Sequence, residues 1–288
     1  MSAYRFCRTD DIALLVDALN RCWAPYFPDE PPMTPAAFKR SIRDLQVWCS
    51  SCMVAFSGSD PIGVLIGAKR PSGTLVHKIA VHPDHRRQGH GRHLLASLGS
   101  KLAILGPPRI IAEVPETLAP ACALFSASGY VQEALLTDYV LQREENPLTR
   151  AESPRSLRVD DHEGRLLIPI TVDDLAANGL LEEAPQTCWE RSVETLTARK
   201  DDIAGLAVAS DERIEAYLLH MNGGEIVSPR SFIEDGGARL KQLLSRLGPG
   251  TFRFPKVHPA EISKECLETL GFRPAGGHRL YAAKARSD

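Results

Sequence analysis

No run of apolar residues in this 288-residue sequence approaches the roughly 20 needed to cross a bilayer. The stretch up to Asp11 is charged and has no apolar h-region, so no secretory signal is expected and a cytoplasmic location is. An excess of charge of either sign is also missing: 34 Lys and Arg face 36 Asp and Glu, a formal net charge of −2. That balance leaves no electrostatic footprint for nucleic acid or an anionic membrane, and neither is expected as a partner. A disulfide framework is absent too. The seven cysteines are odd in number and scattered, which fits a reducing compartment. Cys49 and Cys52 form a lone C-x-x-C, and no second such pair and no H-x-x-x-H accompanies it. A zinc site would lack ligands, so no metal is expected.

What is present is ordinary globular composition, 43% hydrophobic, in a chain long enough for two domains of about 100–150 residues each. Apolar periodicity gives a consistent series in the first half. A short strand at 4–8 precedes a helix with Ile12, Leu15, Val16 and Leu19 on one face. A loop rich in proline and aromatics covers 23–35, and a second helix follows at Pro35–Leu45. Strands are expected at 52–57, 62–68 and 74–81, then a loop at 82–88 and a helix carrying Leu94, Leu95, Leu98 and Leu102. A buried strand at 109–114, a helix at 119–128 and a strand at 134–141 complete the order β-α-α-β-β-β-α-β-α-β.

Residues 146–155 are polar and proline-containing and read as a linker between a domain at 1–145 and another at 156–288. The second half repeats the order of the first. Strands at 203–210, 213–221 and 225–232 lead to a helix at 237–247, a strand at 251–256, a helix at 260–270 and a closing strand at 278–284. Ser128-Gly129-Tyr130 has its counterpart in Leu270-Gly271-Phe272.

One segment carries chemistry. A strand runs into His82-Pro83-Asp84-His85-Arg86-Arg87-Gln88-Gly89-His90-Gly91-Arg92 and on into a helix. Glycines let backbone N–H groups approach an anion, and the helix start adds unpaired donors and the positive end of its dipole. Arg86, Arg87 and Arg92 add charge where a pyrophosphate would lie. The segment is neither G-x-G-x-x-G nor a P-loop.

The run from Ile79 to Arg92 resembles motif A of the GCN5-related N-acetyltransferase (GNAT) superfamily, and the order of elements across residues 4–141 matches that fold. Locally it is most similar to the ribosomal-protein alanine acetyltransferase subgroup. The resemblance implies an α/β (α+β) fold of two tandem GNAT-like domains, each a mixed, mostly antiparallel twisted sheet flanked by helices. It implies acetyl-CoA as co-substrate, with Ile79, Ala80 and Val81 offering backbone groups to pantetheine and Arg86, Arg87, Gln88, Gly89, His90, Gly91 and Arg92 holding the pyrophosphate. Glu113 resembles the general-base glutamate of the subgroup. Two positions depart from the family pattern: Leu118 stands for an asparagine, and Phe125 for the tyrosine that protonates the leaving thiolate.

Attack by an amine needs a base to remove the ammonium proton. Glu113 is the first choice, against a strand-end carboxylate paired with an arginine. His77 is the second, against a packed strand histidine. Tyr130 reads as a core plug and only an outside choice for the acid. Trp23, Tyr26 and Phe27, followed by Asp29 and Glu30, would wall a pocket for an amine-bearing acceptor, a small molecule or a peptide. In the second copy Asp235 aligns with Gly89 and Phe232 with Arg86, while Pro229 interrupts the preceding strand. A carboxylate there repels phosphate, so this copy reads as a degenerate GNAT-like domain. The expected activity is N-acyl transfer from acyl-CoA to a primary amine. The alternative is a non-catalytic, CoA-binding regulatory protein.

Overall fold

The computed structural model describes residues 2–144, 166–181 and 186–285, so the expected linker at 146–155 lies outside the described residues. The chain divides into two compact units, Met1–Ala134 with the stretch from Arg279 onward, and Leu135–His278.

In the first unit the strands β1 (Ser2–Phe6), β2 (Met53–Ser57), β3 (Asp60–Arg70) and β4 (Gly73–Val81) pair antiparallel in sequence order. β5 (Arg109–Pro115) then joins β4 in parallel. β3 is buried along nearly its whole length, as its unbroken apolar run requires of a central strand. β5 alternates instead, sending Ile110, Ala112 and Val114 into the core. That core lies under α3 (His90–Leu105) and α4 (Ala119–Ala127), whose Leu94, Leu95, Leu98, Cys122 and Phe125 meet Leu65 and Val76. α1 (Ile12–Cys22) packs against β3 with Leu15 and Leu19 buried. α2 (Pro35–Leu45) starts where Thr34 Oγ1 accepts from Ala37 N at 3.1 Å with proline in the first turn, and ends at Gln46 in the left-handed region.

The second unit holds β7 (Leu166–Pro169), α5 (Val172–Ala177), α6 (Val193–Ala198), β8 (Ile203–Ala209), β9 (Ile214–Met221), β10 (Glu225–Ser231), α7 (Ala238–Ser245), β11 (Gly250–Val257) and α8 (Lys264–Thr269). With β12 (Arg273–Lys284) these give the same β-α-α-β-β-β-α-β-α-β order as the first half. The two helix exits also agree. Gly129 and Gly271 both take positive φ, 81° and 93°. In each case the next residue's N–H turns back to the helix, Tyr130 N to Phe125 O and Phe272 N to Leu267 O.

Some boundaries differ from the sequence expectation. α8 begins at Lys264 rather than 260, because Ser263 Oγ caps it by accepting from Cys266 N at 3.2 Å. β12 begins at Arg273, five residues before the expected start, running through Gly276. A Cβ on Gly276 would stand 3.2 Å from Asp138 Oδ2, so the glycine there serves close approach and not a turn.

The closing strands are taken up across the halves that encode them. β6 (Val131–Arg143) pairs antiparallel with β11 inside the second unit, Phe252 opposite Leu141 and Phe254 opposite Tyr139. The part of β12 from Arg279 belongs to the first unit, where Tyr281 is buried in the core with Phe125 and Tyr130.

Candidate functional site

The parallel pairing of β4 with β5 is short: Thr74 faces Ile110 and Leu75 faces Ile111. Immediately beyond, β4 carries a bulge. Ile66 faces Lys78 and Gly67 faces Val76, so His77 is the extra residue. Past the bulge a cavity of about 700 Å³ opens. Its walls are Ile79, Ala80 and Val81 of β4, the loop residues Arg86 and Arg87, and Gly89, His90, Gly91 and Arg92 at the start of α3. Leu118, Ala121 and Leu124 line it from the α4 side, and Trp23, Tyr26 and Phe27 from the loop after α1.

The loop adopts the backbone its glycines permit. Gly89 caps α3 at φ 87° without a side chain, and a Cβ there would meet nothing within 4 Å. The position is open on the side an anion would approach, and only glycine takes that φ without strain. Gly91 answers a different need: a Cβ would stand 3.0 Å from Leu124 Cδ2, so its absence lets α3 close on α4. Arg87 also sits at positive φ, 63°.

Arg86 is engaged. Its guanidinium lies 4.2 Å from the Tyr26 ring centroid and its Nε donates to the Tyr26 hydroxyl. That hydroxyl donates in turn to Val81 O at 2.5 Å. One chain of contacts thus ties the loop after α1 to the end of β4 and to the arginine loop. Burial pushes the Tyr26 hydroxyl pKa up, with Arg86 pulling the other way. His90, 5% exposed, has Nδ1 2.6 Å from the Tyr4 hydroxyl. Burial, then the charges of His85 and His93, hold its pKa below the usual imidazole value.

The structure gathers most of the sequence-derived residues and leaves three off the cavity wall. Gln88 is exposed and is not among the lining residues. Glu113 and His77 are partly buried and also do not line it; Glu113 lies on the face of β5 opposite Ile110, Ala112 and Val114. Phe125 is buried in the core, stacked on Tyr281 at 5.7 Å and edge-on to Tyr130 at 5.1 Å. The Tyr130 hydroxyl has no hydrogen-bond partner among the described residues, and burial drives its pKa up. It stays protonated and enclosed, the core plug that the sequence suggested.

Sequence reasoning missed Lys78. Its Nζ stands 3.9 Å from the centroid of the Trp23 ring, whose other neighbour, Phe27, stacks at 4.5 Å. The signal was a lysine inside a mostly apolar strand.

The second unit has the same opening and a different helix start. β10 and β11 pair in parallel at Glu225 and Arg253, beyond which a cavity of about 490 Å³ lies. Asp235 fills the start of α7: Oδ1 accepts from Gly237 N at 2.9 Å and Oδ2 from Arg239 N at 2.8 Å. Arg239 is held further by Glu215 at 3.0 Å. An internal carboxylate occupies the place where the first unit leaves its helix start open, and a second anion there meets like charge.

A mixed sheet that parts between two parallel strands onto a glycine-started helix defines the N-acetyltransferase fold, here in tandem. Residues 13–130 match the acetyltransferase (GNAT) family, so the chain carries a GNAT-family domain in its first half. A mycothiol acetyltransferase of Thermomonospora curvata is 34% identical over 82 residues, which are 28% of this chain and 26% of that protein. The chain therefore matches about a quarter of that relative's length. Two solved structures share the fold over the whole chain. A GCN5-related N-acetyltransferase from Sphaerobacter thermophilus aligns with a TM-score of 0.65 at 15% identity, covering 99% of this chain and 96% of that one. A tandem GNAT protein from the clavulanic acid biosynthesis pathway gives 0.62 at 17% identity, covering 100% of both. Among the described residues no cluster of metal-ligating side chains occurs and no helix is long and apolar enough to cross a membrane.

Proposed function

We propose that residues 1–145 form the catalytic domain, which transfers an acetyl or short acyl group from acyl-CoA to a primary amine, small molecule or peptide, by direct attack. The observation that carries this reading is the glycine-started α3, without a side-chain cap, at the mouth of the cavity between β4 and β5, with Arg86, Arg87 and Arg92 around it. The N–H groups of His90, Gly91 and Arg92 lie in the first helical turn, where helix geometry leaves them without intrahelical partners. They hold phosphate oxygens, the arginines neutralise the charge, and Gln88 extends the loop. The backbone of Ile79, Ala80 and Val81 aligns the acyl arm along β4. Glu113 takes the proton from the attacking ammonium, directly or through water, with His77 the second choice. CoA leaves as a thiolate and takes its proton from water, since Phe125 is held in the core. Residues 156–288 are the degenerate domain, whose Asp235 excludes a second cofactor.

A second reading, a CoA-binding regulatory protein without turnover, is favoured by one observation: neither Glu113 nor His77 lines the cavity. Calorimetric titration with acetyl-CoA tests the first step. One site per chain is expected, lost in the double variant Arg87→Glu, Gly89→Asp. Turnover with an amine library, abolished by Glu113→Gln, then separates enzyme from binder. Two sites per chain would overturn the account of the second domain, and no binding would end the acyltransferase reading.

A further inference from the structure

The loop after α1 already holds an amine beside the cavity, though Lys78 itself is not one of the lining residues. Lys78 Nζ lies 3.9 Å from the Trp23 ring centroid and 3.9 Å from Glu30 Oε2, and Trp23 Nε1 donates to that same oxygen at 3.1 Å. Trp23 lines the cavity, and so does Ile79, the next residue of β4. Lys78 follows the bulge at His77, three residues beyond the last pairing of β4 with β5. Its side chain is 18% exposed, unlike that of a solvated surface lysine. An aromatic face and a carboxylate together form a site for an ammonium group, and the chain supplies that group itself.

We propose that Lys78 is an acyl acceptor within its own molecule, a site of self-acylation at the rim of the cavity. The inference rests on the acyl-CoA reading above. The Lys78 ammonium gives a proton through water to the Glu30 carboxylate, which passes it to solvent. The Nζ lone pair then attacks the thioester carbonyl carbon; the N–C bond forms, the C–S bond breaks, and CoA departs as a thiolate protonated by water. The product is a neutral amide. It no longer pairs with Glu30 and no longer places a cation over Trp23, so the contacts that fix the acceptor wall are lost. The modification thereby changes the pocket that would receive an external amine.

The test incubates the full chain with acetyl-CoA and follows acetylation of Lys78 and of the exposed Lys39 by peptide mass spectrometry. Acetyl-CoA binding is measured alongside by calorimetry. Lys78 is expected to react at least about tenfold faster than Lys39, because self-acylation brings its amine and the bound donor together within one molecule. The fraction modified per unit time should not change when the protein is diluted, and it should fall to the Lys39 level in Arg87→Glu. Gly89→Asp, a second block of the phosphate loop, should give the same fall. Equal rates at the two lysines, a rate that falls on dilution, or a rate unchanged in both loop variants would overturn the inference. If acetyl-CoA still binds in those cases, the proposed function stands without it. Failure of acetyl-CoA to bind the wild-type protein removes both.

Discussion

His90 shows what one buried side chain contributes at the residue scale. It opens α3 beside the arginine loop, against Tyr4, His85 and His93, and its pKa lies below the usual 6.5. The unfolded chain therefore binds the proton more readily than the folded one. Its share of stability is complete above about pH 6.5 and is lost as the pH falls through the depressed value. Urea midpoints should hold steady from about pH 8 to 7 and decline below 6.5, and His90→Asn should flatten the part of that decline due to this group. A slope identical in the variant would assign the acid sensitivity elsewhere. Phe125 makes the complementary point. Its sequence position announced a missing proton donor, but only the packing against Tyr130 and Tyr281 shows the ring spent on the core.

Between elements, Arg191, in a short helical turn at Trp189–Arg191, joins several at once. It is fully buried and forks onto Glu261, while its other donors reach Pro255 O at 2.9 Å and Lys256 O at 3.0 Å. It ties that turn to β11 and to the approach to α8. Arg191→Ala should lower the unfolding free energy by about 3–5 kcal/mol, because Glu261 is left buried without its partner. The double change Arg191→Met, Glu261→Leu should recover most of the loss in the same denaturant titration. This region shows where sequence reading stops. The strands from β8 onward were legible because each carries its own apolar period, as were α3 and its counterpart α7. α5 and α6 have six residues each, too few for a stripe to repeat. The capping box of Thr171 and Asp174 was a readable signal for α5. Nothing local marks Arg191 as buried, since its partner lies 70 residues away. The cavity was legible in part for the same reason: the glycine loop is contiguous, whereas Lys78 on Trp23 joins residues far apart in the chain.

For the whole molecule, the decisive feature is the destination of the last strand. Tyr281, 2% exposed, sits in the first unit's core, and Ala285 N donates to Pro108 O at 2.6 Å beside β5. Removing the residues after His278 should therefore damage the half of the chain farthest from the cut in sequence. Acetyl-CoA binding is expected to be lost, and Tyr281→Ala alone should cost about 3–5 kcal/mol, as for other buried aromatic truncations. Unchanged binding in the shortened protein would show that the first unit does without the strand. The periodicity of the sequence identified this strand but not its neighbour, because a strand's pattern encodes which face is buried and not which edge it joins. The same arrangement sets a timetable. Chains usually complete their leading domain while the ribosome is still at work. Here the first unit waits for a strand encoded after the whole of the second, so an interrupted translation yields a polypeptide with every loop glycine in place and the first unit's core unfilled.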